Sequence, residues 1–170
     1  HLRGKAVPKT TSSVIRLAKT KDAAAIAELS RSQIEKELPW RWRPGRVQQH
    51  IRAKDATVIV SESENSLCGF AITSFAETSA HISLLAVSPT FRRLGIATSM
   101  IRWISKSCQT AGIGCIKLEV RANNTGAIEC YSDLGFQKRG IIKGYYESRE
   151  DAQLMTLVLI SSEIEARRPK

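Results

Sequence analysis

Four cysteines and three histidines are all that this 170-residue chain offers as soft metal ligands. Cys68, Cys108, Cys115 and Cys130 form no Cys-x-x-Cys pair and have no histidine cluster beside them, so neither a structural metal nor a disulfide framework is expected. Each lies in or beside an apolar segment, where a cysteine behaves as a small buried hydrophobe, and a reducing cytoplasm is the simplest compartment. No apolar run approaches the roughly 20 residues of a membrane helix, and no signal-peptide pattern is visible. The first residue, His1 rather than Met, is read as a processed or truncated start. Internal repeats are absent too. The chain lacks Gly-x-x-x-x-Gly-Lys-Ser/Thr, and it lacks Gly-x-Gly-x-x-Gly with an acidic residue at the dinucleotide spacing, which excludes a Walker-type nucleotide site and an NAD site. No serine or cysteine lies in a recognisable nucleophile constellation, so a covalent acyl-enzyme is not expected.

Positive charge is abundant instead. Lys and Arg number 26 against 16 Asp and Glu, a formal net charge of +10. Part of the excess sits in Arg3, Lys5, Lys9, Arg167, Arg168 and Lys170, within terminal stretches that read as tails. The rest could draw a polyphosphate cofactor or an RNA-rich assembly, or could be a solvated surface. The length fits one domain with a sizeable core, placed at residues 14–160 between a flexible tail at 1–13 and a basic tail at 161–170.

Periodicity sketches the elements. Val14 to Leu17 is a short strand, and Asp22 is placed to N-cap a helix carrying Ala25, Ile26, Leu29 and Ile34 on one face and ending before Pro39. The segment Leu38-Pro39-Trp40-Arg41-Trp42-Arg43-Pro44-Gly45 is a loop with a binding-like composition, followed by a short helix near Arg46 to Arg52. Thr57 to Ser61, Leu67 to Phe75 and Ala80 to Val87 are strands joined by short polar turns, as in an antiparallel meander. A helix from near Thr98, a strand over Cys115 to Val120, a helix from Thr125 to Leu134 closed by Gly135, and strands over Phe136 to Lys143 and Gln153 to Ile160 complete the set.

Chemistry concentrates first at Arg92-Arg93-Leu94-Gly95-Ile96-Ala97, between the apolar strand Ile82 to Val87 and a helix whose buried face is Ile96, Met100, Trp103, Ile104 and Cys108. A helix N-terminus leaves amides without intrahelical partners and carries partial positive charge. Gly95 and Ala97 leave the backbone uncovered and two arginines add full charges, so the loop suits a phosphate, although a plain tight turn explains it as well.

The second half carries Leu118-Glu119-Val120-Arg121-Ala122-Asn123-Asn124, then Ala127-Ile128-Glu129-Cys130-Tyr131-Ser132-Asp133-Leu134-Gly135-Phe136, then Gly144-Tyr145-Tyr146 and Arg149-Glu150-Asp151-Ala152. With the basic loop ahead of them, these runs make the chain resemble the GCN5-related N-acetyltransferases, most of all the RimI-type protein N-terminal acetyltransferases. The resemblance covers about residues 14 to 160. It implies a mixed α/β domain with a mostly antiparallel sheet splayed near Val87, acetyl-CoA as co-substrate, no metal, and an amine acceptor, here a protein or peptide N-terminus rather than nucleic acid or membrane.

The same resemblance implies roles. Arg92, Arg93, Leu94, Gly95, Ile96, Ala97 and Thr98 would hold the CoA pyrophosphate. Leu85, Ala86 and Val87 would pair with its pantetheine arm, a backbone N–H facing the thioester oxygen. Asn124 would also touch the cofactor. Glu119 would be the general base, with Arg121 as a counter-charge if the two side chains converge. Tyr131 would be the general acid, since a neutral phenol retains a proton for the leaving thiolate. Trp40, Tyr145 and Tyr146 would border the acceptor, with Glu150 or Asp151 fixing their loop.

Two places depart from the family pattern. Glu147 stands where relatives often have proline after the tyrosine pair, and Arg41-Trp42-Arg43 is inserted after Leu38-Pro39-Trp40. The two arginines suit an acidic acceptor better than a polycation. His50 and His81 fall outside these runs and are read as structural or solvent-facing. Transfer to a small amine or amino acid, and a non-catalytic acetyl-CoA- or RNA-binding module, remain as alternatives. The retained Glu119 and Tyr131 argue against the second.

Overall fold

Residues 12–159 are described by a computed structural model. Most of the expected tails lie outside them. Seven strands form one sheet in the order β1-β2-β3-β4-β5-β7-β6. They are β1 (Val14–Leu17), β2 (Ala56–Ser63), β3 (Ser66–Phe75), β4 (Ser79–Val87), β5 (Cys115–Arg121), β6 (Gln137–Tyr146) and β7 (Glu150–Val158). The first four form the antiparallel meander expected from their short polar turns. Helices α1 (Ala23–Gln33) and α2 (Pro44–Arg52) cover one face, where Ile26, Ala27 and Val47 meet Val58, Val60, Phe70 and Ile72. Helices α3 (Ile96–Thr110) and α4 (Thr125–Asp133) cover the other, where Met100, Ile101 and Ile104 pack on Ile59, Ala71, Ile116 and Leu118.

The one parallel contact among the described residues is a short seam. β4 pairs with β5 only from Ser79–Cys115 to Ile82–Leu118. At that point the β3–β4 register slips, Leu84 facing Ile72 while Ile82 faces Thr73, so Ser83 is an extra residue. Such a bulge bends its strand and reverses which face later side chains take. Ala80 and Ile82 accordingly pack on the α3 side, whereas Leu84 and Ala86 pack on the α1–α2 side. Beyond the bulge β4 leaves β5, and the sheet opens at Ser83 rather than near Val87.

Tight contacts hold the diverging strand. A Cβ on Gly69 would stand 2.9 Å from the Ala86 carbonyl and 3.3 Å from Met100, so β3 needs glycine where β4 and α3 press closest. Helix α4 closes in a Schellman motif. Phe136 N–H donates to Tyr131 O, Gly135 N–H donates to Ser132 O, and Gly135 takes φ 99°.

Two local expectations are corrected at the first helix. A 3-10 turn, Thr20–Asp22, precedes α1. The helical step from Ala23 therefore buries Ala23, Ile26, Ala27 and Ser30 and leaves Ala25 exposed. Asp22 does not cap α1 with its side chain. It accepts the Lys19 N–H at 2.7 Å and two bonds from Arg16, which also donates to Glu62 at 2.6 Å. The Arg16 hydrogen bonds hold the Asp22 carboxyl below its ordinary pKa, burial opposing. A carboxylate depressed in the folded state contributes stability above its unfolded pKa, about 3.9, and loses that contribution as pH falls through the folded value. Asp22→Asn should thus cost about 1–2 kcal/mol at neutral pH, and urea titrations should show the difference from wild type vanishing in acid.

Candidate active site

Where β4 and β5 part, a cleft of about 900 Å³ opens between them. One end is the N-terminus of α3. Arg93 (φ 63°) and Gly95 (φ 75°) both take left-handed conformations, and Gly95 has open space around it. Ser99 N–H bonds Gly95 O as the first intrahelical link, so the amides of Ile96, Ala97 and Thr98 have no helical acceptor. Arg92 is anchored, its guanidinium donating to Gln33 Oε1 of α1. Along one side runs the edge of β4 from Ser83 to Val87, which among the described residues has no strand to pair with on its β5 side. This end offers an anion cradle leading into an unpaired strand edge.

Glu119 projects into the cleft from β5. Leu118 and Val120 alternate with it and are buried on the α3 side, which sends Glu119 and Arg121 to the opposite face. Because Ser83 has not yet reversed β4, His81 shares that face. Its Nε2 lies 2.5 Å from Glu119 Oε2, with side-chain exposures of 40% and 16%. His81, expected to be structural or solvent-facing, is thus a partner of the candidate base while its side chain stays part-exposed.

Arg121 does not pair with Glu119. It donates to Glu150 at 2.6 Å and to the carbonyls of Ile34 at 2.7 Å and Lys36 at 3.0 Å. Its guanidinium also lies over the Tyr146 ring at 5.5 Å. One arginine so joins β5, β7 and the connection between α1 and α2.

Tyr131 reaches the cleft from α4, 8% exposed and 5.7 Å from the Phe136 ring. Burial pushes its phenol pKa well above the ordinary value, which keeps it protonated at neutral pH. Tyr146 is raised likewise, mainly by burial. Tyr145 is raised by burial and then by the Glu119 charge, so its ring stands near the carboxylate. The two tyrosines meet edge to face at 4.9 Å. Glu150 and Asp151 both secure this hairpin, Glu150 through Arg121, and Asp151 by accepting from Gly144 N–H at 2.9 Å and Lys143 at 3.0 Å. Asn124 borders the cleft while its Oδ1 caps α4, accepting from Ala127 N–H at 3.2 Å.

Two expected site residues lie elsewhere. Trp40 does not line the cleft. Its indole packs on the α1–α2 core between the guanidinium groups of Arg31 and Arg43, because Glu35 turns the loop. That carboxylate, 7% exposed, accepts from Ser30 Oγ, Arg41 N–H and Trp42 N–H. Trp42 and Arg41 line the cleft instead, with Arg46 stacked 3.8 Å over the Trp42 ring. The Leu94 side chain is 54% exposed and points away from the cleft lining.

His81, Glu35 and Trp42 are the lining or supporting residues that sequence reasoning passed over. Strand parity carried a signal for His81, since odd positions before Ser83 and odd positions of β5 share a face. Among the described residues no group of side chains is arranged to hold a metal, and no helix is long and apolar enough to cross a membrane.

Comparisons with known proteins agree with this architecture. The sequence pattern described as the Acetyltransferase (GNAT) family matches residues 24–136. The [ribosomal protein bS18]-alanine N-acetyltransferase of Salmonella typhimurium is 34% identical over 98 residues, 56% of this chain and 66% of its own length. The match therefore spans just under two thirds of that relative. An N-alpha-acetyltransferase of Sulfurisphaera tokodaii is 27% identical, with 85% of this chain and 92% of the relative covered. Among solved structures, Ard1 from Thermoplasma volcanium superposes with a TM-score of 0.79 at 23% identity, covering 88% of this chain and 99% of that one. The Escherichia coli ribosomal-protein-S18-alanine N-acetyltransferase gives 0.77 at 24%, covering 89% and 96%. Both support the fold.

The Glu35 arrangement makes a prediction that is independent of any reaction. Glu35→Ala leaves the Arg41 and Trp42 amides without their acceptor, which should cost about 1–3 kcal/mol. Hydrogen exchange should show those two amides losing protection before the sheet amides do.

Proposed function

This chain belongs to the acetyltransferase (GNAT) family, and from that premise we propose that it moves an acetyl group from acetyl-CoA directly to the α-amine of a protein or peptide. One observation carries the reading: the opened sheet brings the α3 N-terminus, the unpaired β4 edge, Glu119 and Tyr131 onto a single cleft. The names of the relatives, which act on ribosomal-protein alanine or α-amino groups, support the acceptor class. Four free thiols among the described residues suit a reducing compartment such as the cytoplasm.

The donor end fits acetyl-CoA by its chemistry. The amides of Ile96, Ala97 and Thr98, with Arg92 and Arg93, suit a pyrophosphate. Leu85, Ala86 and Val87 offer backbone groups to an extended, amide-bearing arm. The Leu94 side chain takes no part, and Asn124 contributes only what capping leaves free. When bound, acetyl-CoA supplies the acetyl thioester.

The remaining work is proton movement. A protonated amine has no lone pair, so a base must take its proton before or during attack. Glu119 does so with Oε1, directly or through water, while His81 engages Oε2 and fixes the carboxylate rotamer. Tyr131 Oη holds the proton that the departing sulfur needs, and burial keeps it there. Tyr145 and Tyr146 frame the acceptor from the hairpin, and Trp42 takes the position first given to Trp40.

Glu119→Gln and Tyr131→Phe should each lower kcat about 100-fold while leaving donor affinity by calorimetry close to wild type. Because burial raises the phenol pKa, no alkaline limb from Tyr131 should appear below about pH 10. Charge reversal at Arg92 and Arg93 should weaken donor binding steeply. A peptide-library reaction read by mass spectrometry decides the acceptor. Acetyl groups on α-amines support the proposal, and acetylation confined to lysines or small amines refutes it.

A further inference from the structure

Two arginines tie the walls of the cleft together at its acceptor end, in different ways. The inner tie, Arg121, is 20% exposed and spends its donors on Glu150, Ile34 O and Lys36 O. The outer tie runs from Arg41, after α1, to Glu147, in the turn between β6 and β7. Arg41 Nε donates to Glu147 Oε1, with side-chain exposures of 61% and 29%. Both partners belong to the segments in which the chain departs from its family pattern. Glu147 (φ 53°) and Ser148 (φ 58°) take left-handed conformations, and the turn is closed by Ser148 N–H to Gly144 O and Arg149 N–H to Tyr146 O. The turn thus presents Glu147 toward the opposite wall.

An exposed ion pair of this kind contributes little net stability and exchanges readily for another carboxylate. The surroundings decide which charge exchanges best. Five arginines, Arg41, Arg46, Arg92, Arg93 and Arg121, line the cleft against three glutamates. Each glutamate is engaged: Glu35 by Ser30 and two backbone amides, Glu119 by His81, and Glu147 by Arg41 with Arg149 acting on it electrostatically. Arg46 is stacked by its plane on Trp42. An entering cation therefore meets no free carboxylate, whereas an entering carboxylate can take Arg41 from Glu147 and leave Glu147 to Arg149.

We propose that Arg41 selects acceptors with a carboxylate in the few residues after the reacting amine, and that Glu147 is the internal competitor such a carboxylate displaces. The inference rests on the α-amine reading and deepens it. Arg41 is a specificity-determining residue, and the acceptor class is an acidic peptide N-terminus.

The test compares peptides with one common first residue and acidic, neutral or basic residues at positions two to four, by thiol release. Wild type should favour the acidic over the neutral peptide about fivefold in kcat/KM, the worth of one exposed ion pair. The ratio should shrink in 1 M salt, where screening acts within roughly 3 Å. Arg41→Gln should bring the ratio near one, Arg41→Lys should keep most of it, and Arg41→Glu should invert it. Glu147→Gln should raise kcat/KM for the acidic peptide by removing its competitor. Equal rates on all three peptides in wild type, or a preference that survives Arg41→Gln, would overturn the inference alone. No thiol release with any peptide would overturn the α-amine reading, and the inference with it.

Discussion

One extra residue in one strand governs the architecture of the cleft. Ser83 has no counterpart on β3, and by bulging there β4 both bends away from β5 and reverses its faces. Before the bulge the strand contributes Ala80 and Ile82 to the α3-side core and directs His81 toward Glu119. After it, Leu85 and Val87 pack toward α3 while Leu84 and Ala86 fill the α1–α2 core. A regular strand would continue the parallel seam past Ile82–Leu118 and close the cleft. It would also lose the arrangement in which a histidine before the bulge shares a wall with Glu119 and a free edge after it faces the α3 loop. Gly69 secures the bent strand from behind, because only a residue without Cβ admits Ala86 O at that distance.

Opening a sheet leaves its halves joined by four residue pairs, and side chains restore the connection around the gap. Arg92 links the α3 loop to α1, Arg121 links β5 and β7 to the α1–α2 connection, and Glu35 fixes the backbone of that connection from within. Arginine suits this work, since one planar guanidinium can hold several acceptors at fixed angles. The partly buried ties are saturated with acceptors, as charge removed from water requires. The exposed ties, Arg92 to Gln33 and Arg41 to Glu147, are single bonds.

Much of this was legible in the letters, for identifiable reasons. The strand, basic loop and helix around Gly95 follow from local periodicity and helix-end electrostatics, and Leu118-Glu119-Val120 alternates plainly enough to place Glu119 apart from its apolar neighbours. The meander follows from short turns. What escaped depends on residues distant in sequence. The His81–Glu119 contact spans 38 positions and the Arg41–Glu147 pair spans 106. The opening was expected near Val87 from the family resemblance, and the apolar run Leu84-Leu85-Ala86-Val87 carries no sign of the extra residue before it. A bulge is visible only against the partner strand. Trp40 and Trp42 both pack on the α1–α2 core, and only Trp42 also reaches the cleft, where a buried glutamate holds its backbone amide.

The sheet order has a consequence for how the site is assembled in time. β7 is the last strand among the described residues, yet it lies between β5 and β6. As synthesis proceeds, the loop before α3, Glu119 and Tyr131 are all made before the Glu150–Val158 segment that attaches β6 to the rest. Until that segment is inserted, Tyr145 and Tyr146 belong to a strand whose described pairing partner is missing, and Glu147 to the turn that follows it. The nascent chain can build the α3 N-terminus first, while the wall carrying Tyr145 and Tyr146 waits for β7.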